Sequence, residues 1–264
     1  MINYIDKMKL SGKTAAVCGG LGLIGKQITL ALAQAGAKVV VLDINKEAGA
    51  AFESECEKES LNVKFEYFDS TAFDDFSKRI QEVHTAHGPI EVFVNVAYPR
   101  TADWANHLPE VSVESWQKNV DMHLNSYCFL TRDFAELMKK EGIKGSIINI
   151  SSIYGVLGPD FEVYSGTQMT TPAAYSAIKG GIISFSRYAA SYYGKNGIRV
   201  NVVCPGGVFD NQNEIFVKNY NLRTPLGRMA KQGEIASPVL FLASEAASYI
   251  TGATLMVDGG WSCI

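Results

Sequence analysis

"KTAAVCGGLGLIGKQITLALAQAGAKVVVLD" (residues 13–43) places one amphipathic segment between two short apolar runs. The pattern predicts a buried strand over 13–19, a helix that Gly36 closes, and a second strand over 37–43. Parallel strands of one sheet are joined by right-handed crossovers of this kind. The stretch therefore predicts a β-α-β unit.

The same alternation continues toward the end of the chain. Five further strands are predicted, with helix-length segments between them, in "NVKFEYFD" (62–69), "IEVFVNVA" (90–97), "GSIINISS" (145–152), "IRVNVVCPGG" (198–207) and "TLMVDGG" (254–260). Apolar strands joined by helices are typical of a parallel sheet that is covered on both faces. The predicted fold class is α/β: a single-domain, Rossmann-type, doubly wound parallel sheet of about seven strands with helices on both faces.

Two stretches interrupt the alternation, residues 155–172 and residues 208–225. Both follow the carboxyl ends of predicted strands, where open α/β sheets hold their ligands. They are predicted to be insertions that form substrate loops. No linker or internal repeat divides the chain, so residues 1–264 are predicted to form one domain.

The composition indicates a globular chain with a small-molecule partner. Hydrophobic residues make up 47% and charged residues 19%, which suits a sizeable core. The net charge of -3 gives no basic excess that would favour nucleic acid or an anionic membrane. Neither a signal peptide nor an apolar run of about 18 residues is present. We expect a cytoplasmic protein that has neither a nucleic-acid nor a membrane partner.

The cysteines and histidines predict neither disulfides nor a metal site. The cysteines number 5, stand far apart and form no C-x-x-C pair, which suits a reducing compartment. Of the 4 histidines, His84 and His87 are close together, but no acidic or thiol ligand set accompanies them. We expect no bound metal.

The glycines after the first strand indicate a dinucleotide site. Gly20, Gly22 and Gly25 form G-x-G-x-x-G, a turn that lets the backbone approach a pyrophosphate at a helix N-terminus. Asp43 ends the second strand, where a carboxylate accepts hydrogen bonds from the adenosine ribose. Because that charge would repel a 2′-phosphate and no arginine stands beside it, NAD is expected in preference to NADP. The alternatives are a tight packing turn and a solvated acid.

A series of motifs follows the glycine loop in a fixed order. It comprises Asp69 after the third strand, "NVA" (95–97), "NISS" (149–152), "YSAIK" (175–179), "PGGV" (205–208) and "GRMAKQGEIASPVLFLASEAASYITGATLMVDGG" (227–260). With the glycine loop, this series resembles the classical short-chain dehydrogenase/reductase family over nearly the whole chain. A coincidence of fold alone would not reproduce such an ordered set.

The resemblance implies the roles of the site residues. The single domain, residues 1–264, would be a dinucleotide-binding catalytic domain. Tyr175 would be the general acid/base, and Lys179, together with the positive nicotinamide ring of NAD+, would lower the pKa of its phenol. Lys179 would also hold the nicotinamide ribose. Ser152 would donate a hydrogen bond to the substrate oxygen, or Ser151 if the register differs by one residue. The implied cofactor-binding residues are Gly19, Leu23, Ile24, Gly25, Asp43, Asp69, Ser70, Asn95, Ala97, Tyr175, Lys179, Pro205, Gly206 and Val208.

The sequence departs from the family pattern in the glycine loop and at the expected proton relay. Leu23 replaces the loop's middle glycine, as in the extended branch of the family, but the C-terminal part is too short for that branch's substrate domain. His123 stands where the family has a catalytic asparagine, with Asn125 two residues later. His123 is therefore a further candidate catalytic residue that could hold a relay water. The alternative is a buried structural histidine.

Departures near the substrate favour a hydroxylated compound. Tyr98 and Arg100 follow a strand where the family has a small residue, and a phenol with a guanidinium suits sugars or carboxylates. A packed aromatic is the alternative reading of Tyr98. The spacing between the catalytic serine and tyrosine exceeds the family pattern by about ten residues, and Tyr154 and Tyr164 in this region are candidate substrate contacts.

"AYPR" (97–100) and the first insertion resemble family members associated with bacterial surface-sugar or flagellin-glycan biosynthesis. The predicted function is an NAD(H)-dependent oxidoreductase that interconverts a secondary alcohol and a ketone on a sugar or sugar-derived substrate. The alternatives are an NADPH-dependent 3-oxoacyl thioester reductase, a non-redox sugar epimerase or dehydratase that retains NAD, and a catalytically silent cofactor-binding protein. The family implies a homotetramer or homodimer.

Overall fold

The computed structural model describes residues 3–264 and contains one seven-stranded sheet. The strands are β1 (Thr14–Cys18), β2 (Lys38–Asp43), β3 (Val63–Tyr67), β4 (Ile90–Asn95), β5 (Ser146–Ile150), β6 (Arg199–Pro205) and β7 (Thr254–Val257). They lie in the order β3-β2-β1-β4-β5-β6-β7, and all neighbouring pairs are parallel. The predicted single-domain, doubly wound α/β fold is confirmed.

Helices connect the strands along the chain. They are α1 (Leu23–Gln34), α2 (Lys46–Lys58), α3 (Phe76–His87), α4 (Val113–Asn119), α5 (Ser126–Lys140), α6 (Ala173–Tyr193), α7 (Glu214–Arg223) and α8 (Gly233–Ala243). One π-helical segment, Val120–Asn125, joins α4 to α5. Such segments interrupt a helix mainly at functional sites.

The two faces of the sheet are buried by different helices. Because successive side chains of a strand point to opposite faces, Val17 of β1 packs in one cluster with Ile28 of α1, while Cys18 packs in another with Phe134 of α5. All five residues of β1 are buried. This double coverage explains why the strands show continuous apolar runs instead of an alternation.

The second predicted loop is not irregular throughout, because residues 208–225 contain α7. Phe216 and Tyr220 of this helix are buried, whereas Ile215 and Leu222 are exposed. Its apolar residues therefore do not lie on one face, and the periodicity that predicts a helix is missing. Residues 155–172 contain one short 3-10 helix, Phe161–Tyr164, and otherwise irregular backbone.

Two negative findings apply to the described residues, 3–264. No helix among them is both long and apolar enough to cross a bilayer. They also contain no group of three or more histidine, cysteine, aspartate or glutamate side chains that could hold a metal ion.

Candidate active site

A cleft of about 600 Å³ opens at the carboxyl ends of the central strands. Open α/β sheets bind ligands where the strand order reverses, which in this sheet is between β1 and β4. The cleft brings together most of the predicted site residues: Leu23, Ile24, Gly25, Ala97, Tyr98, Arg100, Ser152, Tyr154, Tyr164, Tyr175, Lys179, Pro205, Gly206 and Val208.

The other predicted residues do not line this cleft. Asp43 ends β2, and Asp69 and Ser70 follow β3, so they lie on the β2–β3 side of the sheet. Asn95 ends β4 and is fully buried, and Gly19 follows β1. His123 is fully buried within the π-helical segment.

Tyr175 and Lys179 lie one turn apart on α6, at the end of β5. The Lys179 ammonium nitrogen, Nζ, is 5.6 Å from the centre of the Tyr175 ring and donates a hydrogen bond to the Ile150 carbonyl oxygen (3.0 Å). The Ser151 hydroxyl donates to the Lys179 carbonyl oxygen (2.8 Å), so its proton is used within the fold. The Ser152 hydroxyl instead accepts from the Tyr154 N–H (3.2 Å) and keeps its proton for another acceptor. The geometry favours Ser152 over Ser151 as the hydrogen-bond donor to the substrate oxygen.

Burial dominates the electrostatics of this pair. It raises the pKa of Tyr175 well above its usual value, an effect that the neighbouring Tyr98 reinforces and the Ser152 hydroxyl partly offsets. Burial also lowers the pKa of Lys179 to about 7. In the protein by itself burial decides both shifts, because both charged forms lose the hydration that would stabilise them. The expectation that Lys179 and the oxidised nicotinamide together lower the pKa of Tyr175 concerns the cofactor-bound protein and stays a prediction.

One aromatic side chain that was not predicted, that of Trp104, completes the wall beside Tyr175. The indole N–H of Trp104 donates to the Tyr98 hydroxyl oxygen (2.8 Å), and the Tyr98 ring centre lies 6.0 Å from that of Tyr175. Burial raises the pKa of Tyr98, so its phenol keeps its proton. Trp104 lies in the irregular segment between β4 and α4, where no periodic pattern indicates that a residue is buried.

His123 is surrounded by rings instead of by polar groups. Its ring centre lies 5.2 Å from that of Tyr98 and 5.5 Å from that of Tyr127. Neither ring nitrogen has a hydrogen-bond partner among residues 3–264. Burial first, and the charge of Lys179 second, hold the pKa of His123 well below its usual value. The imidazole is therefore neutral at physiological pH, and it retains one donor and one acceptor for a small polar partner.

The insertion at 155–172 forms the outer wall of the cleft and is fixed to α7. Arg223 of α7 pairs with Asp160 (Nε to Oδ2, 3.2 Å), and the Asn219 side-chain amide donates to the Ser165 carbonyl oxygen (3.0 Å). The hydroxyls of Tyr154 and Tyr164 lie 3.5 Å apart on this wall. The wall thus presents phenols to the cleft.

The turn after β1 fits a pyrophosphate. Gly19 has a φ of +80°, and a Cβ atom there would lie 2.6 Å from the Ala97 Cα. A Cβ atom on Gly25 would overlap the Gly19 carbonyl oxygen. Gly22 is the N-cap residue of α1, and no side chain accepts a hydrogen bond from the first N–H groups of the helix there. These N–H groups, at the edge of the cleft, can therefore donate to an anion. Beneath the cleft, the buried Asn95 Nδ2 has no hydrogen-bond partner within the described residues.

Comparison with known proteins agrees with this geometry. A family model described as enoyl-(acyl carrier protein) reductase matches residues 22–262. A post-translational flagellin modification protein A from Campylobacter coli is 32% identical over 257 residues, which cover 96% of this chain and 99% of that protein. The chain belongs to the classical short-chain dehydrogenase/reductase family. The resemblance found in the motifs, including the flagellin-modification branch, is confirmed.

Two solved structures of this family bind different nicotinamide cofactors. A gluconate 5-dehydrogenase from Burkholderia cenocepacia, in complex with NADP and tartrate, is 26% identical, with a TM-score of 0.89 over 99% of this chain and 100% of that one. A short-chain dehydrogenase from Leptospira borgpetersenii with bound NAD+ is 29% identical, with a TM-score of 0.86 over 99% of this chain and 96% of that one. Further relatives are named as dehydrogenases or reductases. As a member of the short-chain dehydrogenase/reductase family, the protein is an enzyme that acts on CH–OH groups.

The glycine turn gives a direct test of cofactor binding. Because a methyl group on Gly25 would overlap the Gly19 carbonyl oxygen, Gly25→Ala is expected to raise the Kd for NADH by at least about tenfold. Titration calorimetry measures this change. Gly194→Ala is the matched control, because a Cβ atom there has no neighbour within 4 Å among the described residues. Equal NADH affinity in the two variants would place the pyrophosphate elsewhere.

Proposed function

We propose that the protein is an NAD(H)-dependent oxidoreductase that interconverts a secondary alcohol and a ketone on a sugar or sugar-derived substrate. The observation that carries this proposal is the convergence of Ser152, Tyr175 and Lys179 at one end of a cleft whose outer wall presents phenols. A hydroxyl donor, a titratable phenol and an ammonium are the groups that proton transfer to and from an alcohol requires.

The proton steps use side chains of this chain. In the oxidative direction the phenolate of Tyr175, which the Lys179 ammonium would favour once the positively charged oxidised cofactor is bound, accepts the proton of the substrate hydroxyl, and in the reductive direction the phenol returns that proton. Ser152 donates a hydrogen bond to the same substrate oxygen and stabilises its developing negative charge. When bound, the nicotinamide cofactor accepts hydride from the alcohol carbon or supplies it to the ketone.

Residues from the ends of five strands, together with Lys179 of α6, would hold the cofactor. The pyrophosphate would contact Gly19, Leu23, Ile24 and Gly25. The adenosine would contact Asp43, Asp69 and Ser70. The nicotinamide end would contact Asn95, Ala97, Lys179, Pro205, Gly206 and Val208. His123 remains the proposed fourth catalytic residue, as a neutral group near Lys179 that can hold a water molecule for proton relay.

The preference for NAD over NADP rests on the negative charge after β2. The Asp43 carboxylate accepts hydrogen bonds from the N–H groups of Leu21 and Asn45 (both 3.3 Å), so it is held at the glycine turn. Burial is the main cause that raises the pKa of Cys18, and the negative charges of Asp43 and Asp69 raise it further. Both carboxylates therefore lie near the end of β1. Lys46 lies over the Tyr67 ring (4.7 Å) and is engaged there.

Replacement of Asp43 by serine is expected to remove this preference. The native protein should bind NADH at least about tenfold more tightly than NADPH, because a carboxylate repels the 2′-phosphate, and Asp43→Ser should bind the two within a factor of about three. Titration calorimetry with both reduced cofactors measures the ratio. Glu141→Gln removes an equal charge from the end of α5 and should leave the ratio unchanged. A native preference for NADPH would contradict the assignment.

Turnover on a substrate panel tests the reaction class. Absorbance of the reduced nicotinamide is followed with sugars, sugar acids, simple secondary alcohols and a 3-oxoacyl thioester. The 3-oxoacyl reductase remains the second candidate, since a relative from Chlamydia muridarum that is 36% identical over 261 residues is named 3-oxoacyl-[acyl-carrier-protein] reductase. Activity on the thioester with NADPH alone would favour it. Cofactor that copurifies without net redox turnover would favour an epimerase or dehydratase, and no turnover at all would favour a silent binding protein.

We propose the cytoplasm as the location and a homotetramer or homodimer as the assembly. The five cysteines are free thiols, which suits a reducing compartment. Tyr188 and Tyr192 on the outer side of α6 are exposed and stack on each other with ring centres 6.1 Å apart. An exposed aromatic surface of this kind supports an interface between subunits.

A further inference from the structure

We infer that Arg100 binds a carboxylate of the substrate, so that the preferred substrate is a polyhydroxylated acid and not a neutral sugar. The inference rests on the proposed function and specifies the substrate class of the same cleft. Three observations carry it: an unpaired guanidinium, its position beside Tyr175, and the distribution of the other charges in the cleft.

Arg100 lies over the Tyr98 ring but is distinguished by having no acidic or hydrogen-bonding partner among residues 3–264. Within the part of the chain that the structure describes, its guanidinium makes no ion pair and no hydrogen bond, although each of the other arginines donates at least one. Those other arginines are Arg79, Arg132, Arg187, Arg199, Arg223 and Arg228. An arginine left without an acid in a binding cleft is available for an anionic group of the ligand.

The position of Arg100 connects it to the reacting end of the cleft. Its guanidinium carbon, Cζ, lies 4.9 Å from the centre of the Tyr98 ring, and that ring centre lies 6.0 Å from the centre of the Tyr175 ring. Arg100 and Tyr175 line the same cleft. A substrate whose hydroxyl contacts Tyr175 can therefore extend along Tyr98 and place an anionic group on Arg100.

The other charged side chains of the cleft, among residues 3–264, are Lys179 and Asp210. Lys179 is buried at the end of β5 and bonded to the Ile150 carbonyl oxygen. Asp210 follows β6, whereas Arg100 follows β4, and β5 lies between those two strands. The cleft thus has a cation on one side of the catalytic serine and an anion on the other side.

The remaining polar groups suit hydroxyls. Besides these charges, the cleft is lined by hydroxyl and amide side chains, among them those of Tyr154, Tyr164, Thr170, Thr171 and Gln212. One planar guanidinium matches the two oxygens of a carboxylate. A phosphate dianion needs more positive charge, and the second cation of the cleft is already bonded at its floor. The chemistry of the lining therefore favours a hydroxylated carboxylic acid.

Matched pairs of probes test the inference. Binding to the protein–NADH complex is measured by calorimetry, and turnover with NAD+ by absorbance, for aldonates and their neutral alditols with four to six carbons. D-gluconate against D-glucitol is one such pair, and D-gluconate 6-phosphate serves as the phosphate probe. Arg100→Gln and Arg100→Lys are compared with the native protein. Arg79→Gln, which removes an equal charge on α3 outside the cleft, is the control.

The expected result depends on the charge of the probe. Arg100→Gln should weaken binding of the acids, and lower kcat/KM mainly through KM, by about 10- to 100-fold. Binding of the neutral alditols should change by less than about threefold. Arg100→Lys should recover part of the loss, since the charge remains but the planar fork does not. Arg79→Gln should behave as the native protein.

Other outcomes overturn the inference. It fails if no acid binds better than its neutral partner, if Arg100→Gln weakens both members of a pair equally, or if the phosphorylated probe alone depends on Arg100. Turnover of neutral sugars without any charge preference would remove the inference and leave the proposed function standing. Charge-dependent binding of acids without redox turnover of any probe would support the role of Arg100 and contradict the proposed function.

Discussion

Tyr175→Phe is expected to lower kcat/KM by about 10³-fold in both directions of the reaction. The substitution removes the oxygen that exchanges a proton with the substrate hydroxyl, and general acid/base groups contribute about 10²- to 10⁴-fold to a rate. The affinity for NADH should stay within a factor of about two. Steady-state absorbance and titration calorimetry on the same preparations measure the two quantities.

Tyr188→Phe provides the matched control for this experiment. Tyr188 lies on the same helix but is 64% exposed, on the side away from the cleft. Its loss of a hydroxyl should change kcat/KM by less than a factor of about two. If Tyr175→Phe retained native turnover while binding cofactor normally, the proton transfer would have to be assigned to another group, and the proposed mechanism would be wrong.

Lys179→Met is expected to stabilise the fold at neutral pH while it lowers activity. Burial places the pKa of Lys179 at about 7, against 10.5 for an ordinary lysine, so the folded protein bears the cost of a buried ammonium below about pH 7. Methionine has a similar length and carries no charge. Near pH 6.5 the variant should exceed the native protein in free energy of unfolding by about 2 kcal/mol.

The pH dependence separates this charge effect from a simple packing effect. Between about pH 7 and pH 10.5 the unfolded native chain binds a proton at Lys179 that the folded chain does not, so native stability rises with pH relative to the variant. The difference should therefore change by about 3 kcal/mol between pH 6.5 and pH 9.5, so that the native protein becomes the more stable of the two by about 1 kcal/mol at pH 9.5. Urea unfolding at both pH values measures it. A difference that is constant with pH would show that folding does not lower the pKa of Lys179, and it would contradict this prediction.

Periodicity and motif order were sufficient for the sheet and most of its helices. Each predicted strand is present. The central strands β1, β2, β4, β5 and β6 are largely buried, and a strand buried on both faces needs an apolar run that is visible in the sequence. The short Gly-rich turn between β1 and α1 could be located for a similar local reason. The turn requires glycine at Gly19 and Gly25, where a Cβ atom would meet backbone atoms.

Features that depend on tertiary packing could not be predicted in this way. Helix α7 was missed because its buried Phe216 and Tyr220 are mixed with exposed apolar neighbours. The contact between Trp104 and Tyr98 joins an irregular segment to a strand end. The direction of the pKa shift of Tyr175 depends on how fully the site is enclosed, and no local motif records the loss of hydration.

The join between the insertion and α7 has a consequence for how this enzyme can diversify. Arg223 pairs with Asp160, lies over the Trp261 ring (5.3 Å) and donates to the Ile264 carbonyl oxygen (3.3 Å). The Arg223 side chain therefore contacts two segments that are distant from α7 in sequence, the insertion at 155–172 and residues 261–264. None of these three segments carries Tyr175 or Lys179. Recombination that exchanges these segments together can alter the outer wall of the cleft, while Tyr175 and Lys179, the proposed acid/base pair on α6, are inherited unchanged.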